Sequence, residues 1–358
     1  MEKDFIKEKE ISACAVFGIM HQTKQKLSGE LIIRAIEIMH ERSNGMGGGF
    51  AAYGIYPEFE DFWCFHLIYE SENGKKVTEE YLEKNFIIEY QEEIPTCRTE
   101  KIKVSPLLER YFLKARKNKI ITTEEDYIVS NVMFINSKIP DAFVASSGKN
   151  MGIFKGVGYP EDIARFFKLE EYSAYIWTAH GRFPTNSAAW WGGAHPFGIL
   201  DWSVVHNGEI SSYDINRRYL ENYSYKCSCF TDTEVIAYLI DLLGRRHNLT
   251  FEEISNVLSA PFWNDIEREC PEKKEYFTKL RIIYSSALLN GPFAIIVANK
   301  DTIFGLNDRI KLRPLVGATA DDILYISSEE CAIYEICKNP EKIWRTKSGE
   351  PIIGRLKK

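Results

Sequence analysis

The strongest constraint on this chain is where its chemistry-bearing residues stand relative to its apolar runs. Ala174 to His180 alternates as a half-buried strand does and leads into His180-Gly-Arg182-Phe-Pro-Thr185-Asn-Ser187. Ala194-His195-Pro-Phe197 follows, and Ser203 to His206 is a second strand ending in His206-Asn207-Gly208-Glu209-Ile210. An arginine, a threonine and an Asn-Gly pair therefore sit at the ends of adjacent strands. Those groups can hold an α-amino acid and stabilise an oxyanion.

The rest of the chain fits a layered architecture. Ala13 to Met20 is a strand-like run. Ser28 precedes Leu31, Ile32, Ala35, Ile36 and Met39, which recur at helical spacing until Ser43-Asn44-Gly45. Thr231-Asp232-Thr233-Glu234 opens a helix with Val235, Ile236, Leu239, Ile240 and Leu243 on one face, its first-turn acids offsetting the helix dipole. Phe293 to Ala298, Thr302 to Leu306 and Ile323 to Ser327 are predicted antiparallel strands. Strands grouped around a few helices predict an α+β sandwich rather than a doubly wound parallel sheet. Residues 57–172 are charged and mixed in pattern, with helices predicted over 79–85 and 106–118. They read as an insertion into the main domain or a flap over it.

Several function classes are excluded. The 45 basic and 51 acidic residues leave a net charge of -6, without the clustered excess of Lys and Arg that nucleic acid requires. No apolar run approaches the roughly 20 residues that span a bilayer, and Met1 to Glu10 is too charged for a secretory signal. The reading is cytoplasmic. The eight cysteines are scattered and form no CxxC, which argues against a zinc or iron–sulfur site on this chain. Cys227-Ser-Cys229 is read as two thiols in a loop before a helix. Glycines 45, 47, 48 and 49 follow a helix and precede a strand, the reverse of a phosphate loop.

Taken in order, the blocks resemble those of the class II (N-terminal cysteine) glutamine amidotransferases. Cys14-Ala-Val-Phe-Gly18, His180-Gly-Arg182-Phe-Pro-Thr185, His206-Asn-Gly-Glu-Ile210, Thr231-Asp-Thr-Glu234 and Asp308-Arg309-Ile-Lys-Leu-Arg313-Pro314-Leu315 match that family's succession. The phrasing RFPTNS, AHPF and HNGEI is similar to the amidotransferase portion of glutamate synthase. The resemblance implies an N-terminal nucleophile (Ntn) hydrolase fold, an αββα four-layer sandwich. It implies a propeptide at residues 1–13 and a type 2 amidotransferase domain over 14–358, with the insertion at about 57–172.

It also implies roles. Cys14 would attack the carboxamide carbon of L-glutamine and form a thioester that water hydrolyses. The base would be the cysteine's own α-amine, with an ordinary pKa of about 8, once residues 1–13 are removed. Asn207 and Gly208 would stabilise the oxyanion, worth about 3 kcal/mol per donor. Asn-Gly is also the strongest short turn signal, so a hairpin is the local alternative. Arg182 would pair with the α-carboxylate, Thr185 would donate nearby, and Asp232 would receive the α-ammonium. Local sequence alone makes Asp232 an equally natural helix N-cap. His180, His195 and His206 would order strands and loops by hydrogen bonding. Ala15 departs from the family's usual glycine; its methyl would crowd a site, or a backbone needing positive φ.

No cofactor or metal is implied on this chain; FMN and iron–sulfur clusters would sit on a separate glutamate synthase subunit that receives the ammonia. The rival readings are a catalytically silent regulatory or scaffold subunit, a hydrolase of the same fold acting on another amide, and an amidotransferase serving a different acceptor.

Overall fold

The structure is a computed structural model in which residues 14–120, 122–181 and 189–357 are described. Two antiparallel sheets stack face to face. The first has seven strands, in spatial order Lys342–Arg345, Val316–Ala320, Ile323–Ser327, Ala15–His21, Ile176–Gly181, Gly48–Tyr53 and Met151–Gly156. The second has five: Phe197–Ile199, Trp202–Gly208, Phe293–Asn299, Thr302–Asn307 and Ile352–Arg355. Val16, Met20, Ala51, Ile153, Val205, Ala294, Ile296, Ile303 and Ile326 fill the space between them. Tyr53 crosses that layer: its hydroxyl sits 2.7 Å from Ser203 Oγ and 2.9 Å from the Ala298 carbonyl oxygen.

Helices cover both outer faces. Gly29–Glu37, Pro160–Phe166 and Glu330–Ile336 pack on the first sheet, and Asp232–Asp241 packs on the second with Tyr213–Glu221 outside it. The Gly29–Glu37 helix starts where the sequence predicts, since the Ser28 hydroxyl accepts the Glu30 amide and Ile32, Ile33, Ala35 and Ile36 are buried. Ala15–His21 is buried at all seven positions because it has a sheet neighbour on each side, helices above and the second sheet below. The result is the αββα sandwich of the Ntn hydrolases. Among the described residues no helix is long and apolar enough to cross a membrane.

The segment read as an insertion divides in two. Met151–Gly156 and Pro160–Phe166 belong to the sandwich itself. Before them, Trp63–Tyr69, helix Glu72–Asn85, Phe86–Glu93, Leu107–Ala115, helix Glu124–Lys138 and Ala142–Ser146 run β-α-β-β-α-β. Their sheet order is 86–93, 107–115, 63–69, 142–146, with every pair antiparallel. This is the ferredoxin-like arrangement. The helix predicted over 106–118 is therefore a strand at 107–115. It lies between two partner strands and is buried on both faces at Tyr111, Phe112 and Leu113, which erases the period-two signal. The helix predicted over 79–85 starts earlier, at Glu72, capped by the Ser71 hydroxyl accepting the Gly74 amide.

Ile296 is fully buried between the two sheets, opposite Val205 in the ladder that carries Asn207. We predict that Ile296→Ala lowers unfolding free energy by about 2–5 kcal/mol in urea titrations, the usual range for a core truncation that leaves a cavity. A loss within about 0.5 kcal/mol, typical of surface positions, would show that the sheets do not close on this side chain.

Candidate active site

Three strand ends converge at one rim of the sandwich. Ala15 pairs with Gly181 and Val16 with His180, so Cys14 stands beside the end of strand Ile176–Gly181. On the facing sheet, Trp202–Gly208 ends at Asn207 opposite Ala294 and Gly208 opposite Phe293. His180 Nε2 lies 3.0 Å from the His206 carbonyl oxygen and ties the two sheets together there. Cys14 is half-buried. Ala15 is buried within the strand and is not among the residues with positive φ. Its methyl meets no backbone demand for glycine.

Asn207 is 1% exposed, and among the described residues neither its Oδ1 nor its Nδ2 has a hydrogen-bond partner. A buried amide left unpaired costs about 1–3 kcal/mol, so the position is not explained by packing. Gly208 has φ +140°, and a Cβ there would lie 1.9 Å from the Pro292 carbonyl oxygen. No other residue fits. The pair is not a hairpin turn: the ladder continues through Gly208, and the Glu209 amide bonds the Pro292 carbonyl at 3.0 Å.

Asp232 sits directly below. Its Oδ2 accepts the Ile210 amide at 3.1 Å, while Oδ1 lies 3.3 Å from Thr233 Oγ1 and 3.5 Å from His206 Nδ1. Burial pushes its carboxyl pKa up, but His206, the Ile210 amide and the Thr233 hydroxyl outweigh burial and hold it below the ordinary value. The side chain stays 19% exposed. The N-cap is Thr231, whose hydroxyl accepts the Thr233 amide; Asp232 is the first helical residue and is left for another role. Glu234, read from sequence only as a first-turn acid, instead accepts the Ser228 and Cys229 amides at 3.0 and 2.9 Å and braces the loop before Asp232.

The three histidines differ. His180 bonds the His206 carbonyl, and His206 Nδ1 lies 3.2 Å from Thr233 Oγ1. His195 corrects the expectation: among the described residues neither of its buried ring nitrogens has a hydrogen-bond partner, and its ring lies 4.1 Å from that of His180, tilted by 38°. Burial and the neighbouring His180, His206 and Lys155 hold His195 neutral. Lys155, which the sequence did not single out, is buried beside this cluster. Arg182, Thr185 and residues 1–13 lie outside the described residues. Among the described residues no group of three or more His, Cys, Asp or Glu could hold a metal ion.

One rim thus brings together a thiol, a buried carboxamide, a glycine amide and an ionised carboxylate. That set suits nucleophilic attack on a carbonyl whose oxygen gains charge, with a cationic group held alongside.

Comparison with known proteins points the same way. A family profile described as "Glutamine amidotransferases class-II" matches residues 90–352. An uncharacterized protein of Archaeoglobus fulgidus is 48% identical over 355 residues, covering 98% of this chain and 94% of its own. An amidophosphoribosyltransferase of Methanocaldococcus jannaschii is 26% identical over 59% of this chain and 41% of its own. A glutamine amidotransferase-like protein of Rhizobium meliloti is 26% identical over 55% of this chain and 56% of its own. This chain spans only part of the length of the last two. Among solved structures, an allosteric regulatory enzyme of purine biosynthesis aligns with a TM-score of 0.48 and 15% identity, over 96% of this chain and 47% of that one. The chain belongs to the class II glutamine amidotransferases.

Proposed function

We propose that this chain is the glutaminase subunit of a split glutamate synthase. It hydrolyses L-glutamine to glutamate and ammonia and passes the ammonia to a separate subunit. The observation that carries the glutaminase step is the buried Asn207 carboxamide, without a hydrogen-bond partner among the described residues, beside Gly208 at the rim where Cys14 stands. The acceptor is a finer reading. It is supported by the sequence phrasing around Arg182, His195 and Asn207, and FMN and iron–sulfur clusters then belong to the partner chain. The likeness to an amidophosphoribosyltransferase favours, as a second reading, an amidotransferase with another acceptor. Co-purification separates the two: an FMN-containing synthase chain supports the first, and a sugar-phosphate or nucleotide enzyme the second.

In the proposed mechanism, removal of residues 1–13 frees the Cys14 α-amine, which takes the thiol proton as sulfur attacks the glutamine carboxamide carbon. Asn207 Nδ2 and the Gly208 amide stabilise the oxyanion. The same proton passes to the leaving nitrogen, ammonia departs, and water then hydrolyses the thioester to glutamate. Arg182 and Thr185 hold the α-carboxylate, and Asp232 holds the α-ammonium.

The intact mass of the purified protein tests this first. Loss of residues 1–13, together with labelling of Cys14 by the glutamine analogue diazo-oxo-norleucine, is the expected result. A retained leader with no labelling and no ammonia release would favour the silent regulatory subunit. Asn207→Ala is expected to lower kcat by about 10²–10³-fold while changing glutamine KM little, as loss of one oxyanion donor does. An unchanged kcat would remove Asn207 from the chemistry. Asp232→Asn is expected to raise glutamine KM by about 10–100-fold through the loss of a charge-assisted bond to the α-ammonium. Equal KM values for variant and wild type would make Asp232 structural only.

A further inference from the structure

Asp308 is 2% exposed, and its carboxylate is turned inward onto backbone amides. Oδ2 accepts those of Phe293, Leu312 and Arg313 at 3.3, 2.9 and 3.3 Å, and Oδ1 accepts that of Ile310 at 3.0 Å. Four bonds to one side chain fix the turn over 308–313, which also holds Lys311 at φ +56°. Yet Ile310 and Leu312 project from this frame 55% and 57% exposed. Keeping two apolar side chains rigidly in water adds nothing to the fold, because apolar surface stabilises only when it is buried. It does lower the ordering cost for a partner that covers them.

The same face is cationic. The Arg309 guanidinium lies 4.5 Å from the Phe262 ring centroid and donates to Asn290 Oδ1 at 2.7 Å. That of Arg281 lies 4.0 Å from the Trp263 ring centroid and donates to the Pro261 carbonyl at 2.8 Å. Both rings are exposed. Burial and then Arg309 lower the Arg281 pKa, so the two charges are neighbours. Arg313 Nε is buried without a hydrogen-bond partner among the described residues. Among those residues no carboxylate pairs with any of the three arginines. Acids on the adjoining helical segment already have cations, Glu267 with Lys274 and Glu275 with Lys279. Arginine and aromatic side chains framed by apolar ones are the usual makings of a binding hot spot.

This face borders the rim of the site. The Asp308 amide bonds the Phe293 carbonyl at 2.9 Å, and Phe293 pairs with Gly208. Asn290, which holds Arg309, accepts the Ser211 amide at 2.8 Å. Ammonia released from that rim into water at neutral pH is protonated and loses its nucleophilicity, so a chain that uses it has to cover the rim.

We infer that the turn over 309–313, with Arg281 and the rings of Phe262 and Trp263, docks the chain that accepts the ammonia. The partner surface it fits is an acidic patch set among apolar side chains. The inference rests on the reading that ammonia passes to a separate chain. The unpaired arginines steer the encounter, and the apolar side chains hold the complex.

The test is purification of the tagged full-length chain from its own organism, as wild type, Leu312→Asp and Arg313→Glu. The FMN-containing synthase chain bound to each is identified by mass and cofactor absorbance. Each variant should bind it about thirtyfold more weakly, the loss typical of a hot-spot residue, while ammonia release from glutamine alone stays within about twofold of wild type. Wild-type binding should also weaken as salt is raised. Equal binding by wild type and both variants overturns the inference and leaves the functional reading intact. If wild type instead holds a sugar-phosphate or nucleotide enzyme, the synthase reading fails, and the same variants judge the face against that enzyme: loss supports it, retention overturns it. A wild type that holds no acceptor chain, or a homodimer that Leu312→Asp splits, overturns it. Should Arg313→Glu not fold, the exposed Leu312→Asp decides.

Discussion

The site depends on one bond between two sheets. His180 Nε2 reaches the His206 carbonyl across the buried layer, one residue before Asn207 and two before Gly208. A hydrogen bond of this kind contributes only about 1 kcal/mol net, but leaving a buried carbonyl unpaired costs about 1–3 kcal/mol. It therefore acts more on register than on total stability. With the strand ends locked there, Cys14 on one sheet and Asn207 on the other stay at the same rim, and Asp232 is brought up beneath by His206 and Ile210.

Much of this was legible in the chain itself. The strands at 176–181, 202–208, 293–299, 302–307 and 323–327 show in their apolar runs because each is buried by layers above and below. Asn207, Gly208 and Asp232 stand out because they fall in the His206–Ile210 and Thr231–Glu234 blocks, two of five that follow one another in order, although Asn-Gly alone reads as a turn and Asp alone as a helix cap. What remained hidden depends on partners remote in sequence. Leu107–Ala115 reads as a helix until strands 63–69 and 86–93 flank it. Lys155 carries no signal in the sequence, since the carbonyls that meet its Nζ lie some forty residues on. Thr231 takes the cap that Asp232 could equally have made, and only geometry tells the two apart.

The ferredoxin-like module also settles how far the sandwich edge can be considered alone. It borders strand Met151–Gly156 and the second sheet's edge strand Phe197–Ile199, and its Phe143 lies against both Trp190 and the Lys155 ammonium. The wall around that ammonium is thus built partly from residues outside the αββα layers. The buried charge meets aromatic faces from two different units.

The module's point of attachment bears on how the chain can reach this structure. Tyr53 pairs with Met151, so the long segment between them leaves and re-enters the first sheet at directly opposed residues. Joining those strands first would mean closing a loop of the whole module while it was still unfolded. The entropy of closing a flexible loop grows only with the logarithm of its length, about 0.6 kcal/mol per doubling, so insertion of the module adds little to that cost. Once the module has condensed, the gap to be bridged shrinks to the width of its neck. A large addition at this place is thus nearly invisible to the thermodynamics of the sheet that accepts it.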